Sequence, residues 1–247
     1  MIMKILCVIP ARYASTRLPG KPLADICGKP MIVRVYERAV QAKLLSAVVV
    51  ATDDERVREA VESHGGKALM TRADHATGTD RLAEVVTTAP YDGYDLIVNV
   101  QGDEPLIEPE LMDSLAREFE KDEALMMATV KTAITDEGEQ KNPNNVKVVT
   151  DKDGYALYFS RSLLPYPRYQ KGVPVYKHIG IYAYRRDFLL KYAAMSPTAL
   201  EETEALEQLR ALENGYRIKV IETSRRFVGV DTPEDLMKVN EIYSTME

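Results

Sequence analysis

The chain of 247 residues is poor in the groups that usually signal metal, redox or nucleic-acid chemistry. Its two cysteines, Cys7 inside an apolar run and Cys27 before Gly28, exclude a disulfide framework and are expected to stay reduced. The three histidines, His64, His75 and His178, are scattered without ligand spacing, and two lone cysteines cannot complete a zinc set. Positive charge is also short. With 32 Lys and Arg against 38 Asp and Glu, the formal net charge of −6 disfavours a general nucleic-acid or membrane-surface footprint. No stretch has the length of a membrane span, and the apolar part of MIMKILCVIP is too short for a signal peptide, so a cytoplasmic location is expected. Neither a G-x-x-x-x-G-K-[ST] loop nor a G-x-G-x-x-G turn occurs, which removes the Walker site and the dinucleotide turn of an oxidoreductase.

What is present is an alternation of apolar runs and amphipathic segments, the pattern of strands covered on both faces by crossover helices. Strands are expected at KILCVIP from Lys4, AVVVAT from Ala47, KALMT from Lys67 and DLIVNV from Asp95. Between the first two, Ile32, Val35, Tyr36, Ala39 and Val40 form one helical face. Thr52 or Asp53 is expected to cap the next helix, which Gly65 ends, and Thr79 to cap the one after it. From about Leu125 the segments turn β-rich: ALMMATVKTA, VKVVT, a turn at Asp153 and Gly154, YALYFS and KHIGIYAY. GEQKNPNN and LPYPRYQKGVP read as loops. TALEETEALEQLRALENG reads as one helix ended by Gly215, followed by the strand RIKVIET and a last helix after VDTPEDL. The expected architecture is α/β, with a mostly parallel central sheet, flanking helices and a smaller β-rich insert. We expect residues 1–247 to form a single α/β domain with a β-rich sub-region at about 125–185.

Against the acidic balance, IPARYASTRLPGKPL concentrates Arg12, Arg17 and Lys21 before the first carboxylate, Asp25. The segment follows the first strand, at the sheet edge where ligands of open α/β sheets sit. Arginines that grip phosphate in bidentate fashion and a lysine acting as a point charge suit a polyphosphate, although a basic connection balancing acidic helices has the same composition. At the end of the fourth strand, NVQGDEPLI carries Gln101, Gly102 and Asp103. Asp103 is placed to hold a hard cation shared with phosphates, or to be part of a polar turn before Pro105. In GVDTPEDL, Asp231 or Thr232 reads as a cap, with Pro233 at the first helical position. TRADHATGTDR suits either a turn or a loop in which Thr77 and backbone groups read a nucleobase edge. Arg161 and His178 stand beside apolar strands as lone basic residues, and Glu207 and Gln208 lie on the polar face of an amphipathic helix.

Taken in order, IPARYASTRLPGKPL, MTRADHATGTDRLAEV, VNVQGDEPLI, GYALYFSRS, HIGIYAYR, LEQLR and GVDTPEDL resemble the bacterial CMP-KDO synthetases, the 3-deoxy-manno-octulosonate cytidylyltransferases, from Ile9 to Leu236. The resemblance implies a nucleotide-diphospho-sugar transferase type of fold and a homodimer. It also implies Mg²⁺-dependent transfer of CMP from CTP to the anomeric hydroxyl of 3-deoxy-manno-octulosonate (KDO), activating that sugar for lipopolysaccharide biosynthesis. By the same resemblance, Arg12, Arg17 and Lys21 are triphosphate ligands, and Arg12, Lys21 and Asp103 are the catalytic set. Ala11, Arg72, Asp74, Thr77 and Gly78 lie near the cytidine, and Gln101 touches nucleotide or sugar. Asp103 and Asp231 are metal carboxylates, and Arg161, His178, Glu207 and Gln208 receive KDO. No protein base is implied. The related CMP-sialic acid synthetases have a basic loop richer in glycine and lysine than RYASTRLPGKP. A non-catalytic nucleotide-binding module would have no need of a second acidic ligand.

Overall fold

In the computed structural model, which describes residues 3–14, 18–169, 174–224 and 227–246, the apolar run after Lys4 becomes β1 (Ile5–Ala11). The chain divides into two units, Met1–Arg117 with Phe227–Glu247, and Glu118–Arg226. In the first, Gly20 in the left-handed region (φ 70°) opens a 3₁₀ turn at Lys21–Leu23. A two-stranded hairpin follows, β2 (Asp25–Ile26) and β3 (Lys29–Pro30), whose turn residues Cys27 and Gly28 both have positive φ. Sequence patterning does not anticipate this hairpin, because its strands are only two residues long. Then come α1 (Met31–Ala39), β4 (Ala47–Thr52), α2 (Glu55–Ser63), β5 (Ala68–Met70), α3 (Gly78–Val85), β6 (Leu96–Asn99) and α4 (Pro109–Lys121).

β1 pairs in parallel with β4 on one side and β6 on the other, and β4 pairs in parallel with β5. Leu6, Cys7, Val8 and Ile9 are fully buried, as continuous apolar strands covered on both faces must be. Parallel pairing also decides where function can sit. The residues following β1, β4 and β6 leave the sheet at the same edge, which places Arg12, Asp53 and Asp103 along it.

Three helix boundaries differ from expectation. Asp54, not Thr52 or Asp53, caps α2, its side chain accepting from the Arg56 amide at 3.0 Å. Thr77, not Thr79, caps α3 in a reciprocal box with Asp80, and Thr79 is buried within the helix. Helix α1 ends at Ala39, which leaves Val40 exposed outside its apolar face.

The second unit contains β7 (Met127–Ile134), α5 (Glu137–Lys141), β8 (Lys147–Thr150), β9 (Ala156–Ser160), β10 (Val175–Arg185), α6 (Arg186–Ala193), α7 (Ala199–Glu204), α8 (Gln208–Glu213) and β11 (Ile218–Thr223). β7 pairs antiparallel with β10 and parallel with β11, while β8 and β9 form an antiparallel pair. The GEQK part of an expected loop is helical because Asp136 caps it, accepting from Glu139 N at 2.8 Å. The single helix expected from Thr198 to Gly215 is broken at Ala205, which takes φ 50°.

The chain closes with α9 (Pro233–Met246) in the first unit. Val230, Val239 and Tyr243 share a buried cluster with Ile26 and Met31, so this segment is anchored by its apolar side chains. Val230 N donates to Asp103 O at 2.9 Å, which sets Asp231 beside the turn that follows β6.

Candidate active site

A cavity of about 410 Å³ opens at that edge of the first unit, lined among others by Ala11, Arg12, Lys21, Gly78, Gln101, Asp103 and Asp231. Gly102 allows the close approach on which it depends, because a Cβ there would meet Pro10 O at 2.9 Å. Lys21 is central. Its Nζ lies 2.5 Å from Asp103 Oδ2 and 3.0 Å from Asp231 Oδ1. Burial weighs against its charge, but the two carboxylates outweigh burial and raise its pKa, so the ammonium stays protonated. Thr232, not Asp231, caps α9, accepting from Asp235 N at 3.2 Å, which leaves the Asp231 side chain to face Lys21.

Arg12 donates from Nη2 to the carbonyls of His75 and Thr77, tying the first basic residue to the loop before α3. That loop is held in turn by Glu84, which pairs with His75 Nε2 and accepts from Arg72 N. Tyr13 packs against Gly20, and the Arg56 guanidinium lies 3.5 Å over its ring centre.

Arg81 is a cavity residue that sequence reading misses. Its side chain is wholly buried, donates from Nη1 to Thr71 Oγ1 and stands 3.3 Å from Asp53. Burial lowers its pKa, with Arg12 adding to the effect and Asp53 opposing it. The signal was present in TGTDRLAEV, where an arginine falls on the inward side of α3 one position before Leu82, but such a residue reads as a solvated helix face.

In the second unit, His178 is 9% exposed and its ring meets Phe159 edge-on at 5.0 Å and lies 5.4 Å from Tyr182. Its Nε2 is 2.9 Å from Thr129 Oγ1, which also lies 2.7 Å from Ile181 O. A hydroxyl has one proton, and a carbonyl can only accept. With the Thr129 proton assigned to the shortest of its contacts, Ile181 O, Nε2 donates to Thr129 and Nδ1 is left as an acceptor. Burial lowers the imidazole pKa to about 3, so it is neutral near pH 7. Burial first, and Glu207's charge second, raise the phenol pKa of Tyr182, while Tyr192 donates to Glu207 O at 2.6 Å. Gln208 begins α8 and is buried. Arg161 donates to the carbonyls of Glu204, Ala205 and Pro143 at 2.7, 3.2 and 3.1 Å.

Residues 6–220 match the Cytidylyltransferase family. A 3-deoxy-manno-octulosonate cytidylyltransferase of Geotalea uraniireducens is 58% identical, over 97% of this chain and 98% of that relative. The chain belongs to the 3-deoxy-manno-octulosonate cytidylyltransferase family. A relative of the same name from Fusobacterium nucleatum is 54% identical, over 96% of each chain. The solved structure of a CMP:2-keto-3-deoxy-manno-octonic acid synthetase complexed with CTP superposes with a TM-score of 0.94, at 48% identity, over 99% of this chain and 100% of that one. A 4-diphosphocytidyl-2C-methyl-D-erythritol synthase from Anaerococcus prevotii, 14% identical with a TM-score of 0.64, shares the fold. The α/β class with a mostly parallel sheet and flanking helices is thus the class of this cytidylyltransferase family, and the chain is an enzyme of the nucleotidyltransferase type.

Of the residues expected to serve this cytidylyltransferase, the first unit gathers Ala11, Arg12, Lys21, Gly78, Gln101, Asp103 and Asp231 around one cavity. Arg17 lies outside the described residues. Thr77 serves as the α3 cap and as a carbonyl acceptor for Arg12. Arg72 and Asp74 pair with each other at 2.9 Å on the surface and are not among the cavity's lining residues. The second unit brings His178 and Glu207 toward Tyr182, a residue the sequence reading did not single out. Arg161 has three backbone acceptors and secures the break between α7 and α8 ahead of Glu207 and Gln208.

Proposed function

We propose that the chain transfers CMP from CTP to the anomeric hydroxyl of 3-deoxy-manno-octulosonate, releasing pyrophosphate and activating the sugar for lipopolysaccharide biosynthesis. The observation that carries the reading is the first unit's cavity, in which Arg12 and Lys21 accompany two carboxylates at a parallel-sheet edge. Arg12, Arg17 and Lys21 bind the triphosphate. Ala11, Arg72, Asp74, Thr77 and Gly78 surround the cytidine, with Gln101 at the nucleotide or sugar.

Asp103 and Asp231 offer oxygen donors on either side of one ammonium, a stand-in cation, so the pair fits a hard divalent ion, which we assign as Mg²⁺. When bound, that ion neutralises phosphate charge. Arg161, His178, Glu207 and Gln208 are assigned to the acceptor, with neutral His178 offering Nδ1 to a hydroxyl rather than a cation to the carboxylate. In the reaction the acceptor hydroxyl loses its proton to solvent, its oxygen forms a bond to the α-phosphorus in line, and the bond from the α-phosphorus to the departing bridging oxygen breaks. The electron pair leaves with pyrophosphate, whose growing charge Arg12 and Lys21 stabilise. No protein base is assigned.

Among the described residues no helix is long and apolar enough to cross a membrane. We assign a cytoplasmic homodimer, and read residues 1–247 as one cytidylyltransferase domain with a β-rich sub-region at about 125–185. Pyrophosphate release from CTP and Mg²⁺, with KDO or sialic acid supplied separately, tests the reading. Release with KDO is expected. None with KDO refutes it, and faster release with sialic acid transfers the assignment to that acceptor.

A further inference from the structure

The proposed function gives Lys21 a phosphate to bind and gives Asp103 and Asp231 a metal to hold. In the structure Lys21 is bound to both carboxylates, its ammonium 2.5 Å from Asp103 and 3.0 Å from Asp231. A divalent ion using the same oxygens competes with an ammonium at hydrogen-bond distance, since like charges a few ångströms apart repel. We propose that Lys21 is an internal competitor for the divalent cation: its ammonium fills the metal position of the free protein and must move, to the nucleotide's phosphates, before a cation takes Asp103 and Asp231.

Three features support this. The backbone around Lys21 is fixed, with Lys21 N donating to Leu18 O at 3.1 Å and Leu23 N to Gly20 O at 2.8 Å, so the exchange needs only side-chain rotation. Both carboxylates are partly exposed, at 32% and 46%, so they remain open to an ion from solvent. Among the described residues no group of three or more acidic, histidine or cysteine side chains forms a metal cluster, so the pair supplies only part of a shell and phosphate oxygens are the natural complement. Because coupling is reciprocal, a nucleotide that draws Lys21 away favours the metal, and a metal that displaces Lys21 frees it for the nucleotide. The proposal rests on the CTP reading for the identity of that second partner.

The test reads metal affinity without turnover. Mn²⁺ binding to the nucleotide-free protein, followed by electron paramagnetic resonance, is expected to tighten roughly tenfold in Lys21→Met, the value of two partly exposed ion pairs. Lys21→Gln, uncharged but still polar, shows the same gain, whereas Lys21→Arg, which keeps the cation, shows none. The gain disappears when Asp103→Asn is added to Lys21→Met. Unchanged or weaker Mn²⁺ binding in both Lys21→Met and Lys21→Gln overturns the proposal, as does a gain that survives loss of Asp103. Calorimetric titration of the wild-type protein with CTP separates the two readings. Absence of CTP binding removes the nucleotide assignment, while competition between Lys21 and the cation is decided by the nucleotide-free measurement.

Discussion

Two lysines, one from each unit, are held in opposite ways. In the first, Lys21 is 17% exposed and rests on two side-chain carboxylates that solvent can reach. In the second, Lys147 is wholly buried and donates to the carbonyls of Asn142, Asn145 and Arg161 at 2.9, 2.5 and 2.6 Å, while Arg161 holds three more carbonyls. Side-chain partners can be exchanged for a ligand. Backbone partners cannot turn away without unfolding their segment. The first arrangement therefore suits binding and release of charged species, and the second suits holding the geometry on which neutral groups such as His178 depend.

The sharpest break in this comparison comes from Asp103→Asn. It is expected to lower turnover by about 10²–10³-fold, the scale of losing one transition-state electrostatic contact, while metal-free CTP affinity does not fall, because Lys21 is released toward the phosphates, and thermal stability changes little. Near-normal turnover would remove Asp103 from the catalytic set. Next in size is the same substitution made at both lysines. Lys147→Met leaves three carbonyls without their donor and is expected to cost about 3 kcal/mol in urea unfolding. Lys21→Met costs about 1 kcal/mol or less, because its pairs face solvent. Equal losses would erase the distinction between exchangeable and fixed cations.

The fold of the first unit is largely legible, because β1, β4 and β6 are apolar runs whose burial needs no knowledge of their neighbours. Equally legible is the placement of Arg12 and Lys21 in the loop after β1 and of Asp103 in the turn after β6. What escapes notice depends on distant partners. Nothing in TALEETEALEQLRALENG marks Ala205 as a break. There Arg161, more than forty positions away, takes the carbonyls of Glu204 and Ala205, and these bonds offset the left-handed residue's cost of about 1 kcal/mol. Arg81 and Lys147 escape for the same reason, their buried charges being paid for by Asp53, Thr71 and loop carbonyls that no local pattern reveals. Thr232 and Asp231 are both plausible caps in GVDTPEDL. Only the fold divides the work, giving the cap to Thr232 and Lys21 to Asp231.

The neutral side of the comparison is testable by pH. Unfolded His178 takes a proton as pH falls below the ordinary 6.5, whereas the buried ring does so only near 3. In that window the unfolded chain binds more protons, so this residue's contribution is present above pH 6.5 and is lost as pH falls toward 3. His178→Gln keeps a donor for Thr129 but cannot titrate. On going from pH 7.5 to 5, the wild type should lose about 2 kcal/mol more stability than this variant in urea unfolding. A difference below about 0.5 kcal/mol would mean that the ring is not held neutral.

The smallest expected effect on the fold concerns Arg72. Its guanidinium pairs with Asp74 at 2.9 Å, and both side chains are about 70% exposed. An ion pair this open is screened by solvent and adds little to stability, and Arg72's backbone amide bond to Glu84, at 3.0 Å, is kept when the side chain is truncated. Arg72→Ala should therefore melt with the wild type. Any kinetic change then reports direct contact with the nucleotide rather than a disturbed loop. If Arg72 leaves Asp74 to reach the cytidine, the KM for CTP rises about fivefold, the equivalent of roughly 1 kcal/mol, while kcat changes by less than about twofold. Unchanged KM would confine the pair to the surface and leave Ala11, Arg12, Gly78 and Gln101 as the nucleotide side of the cavity. That outcome would sharpen the contrast between the units, because exchange of partners in the first would then be confined to Lys21 and its two carboxylates.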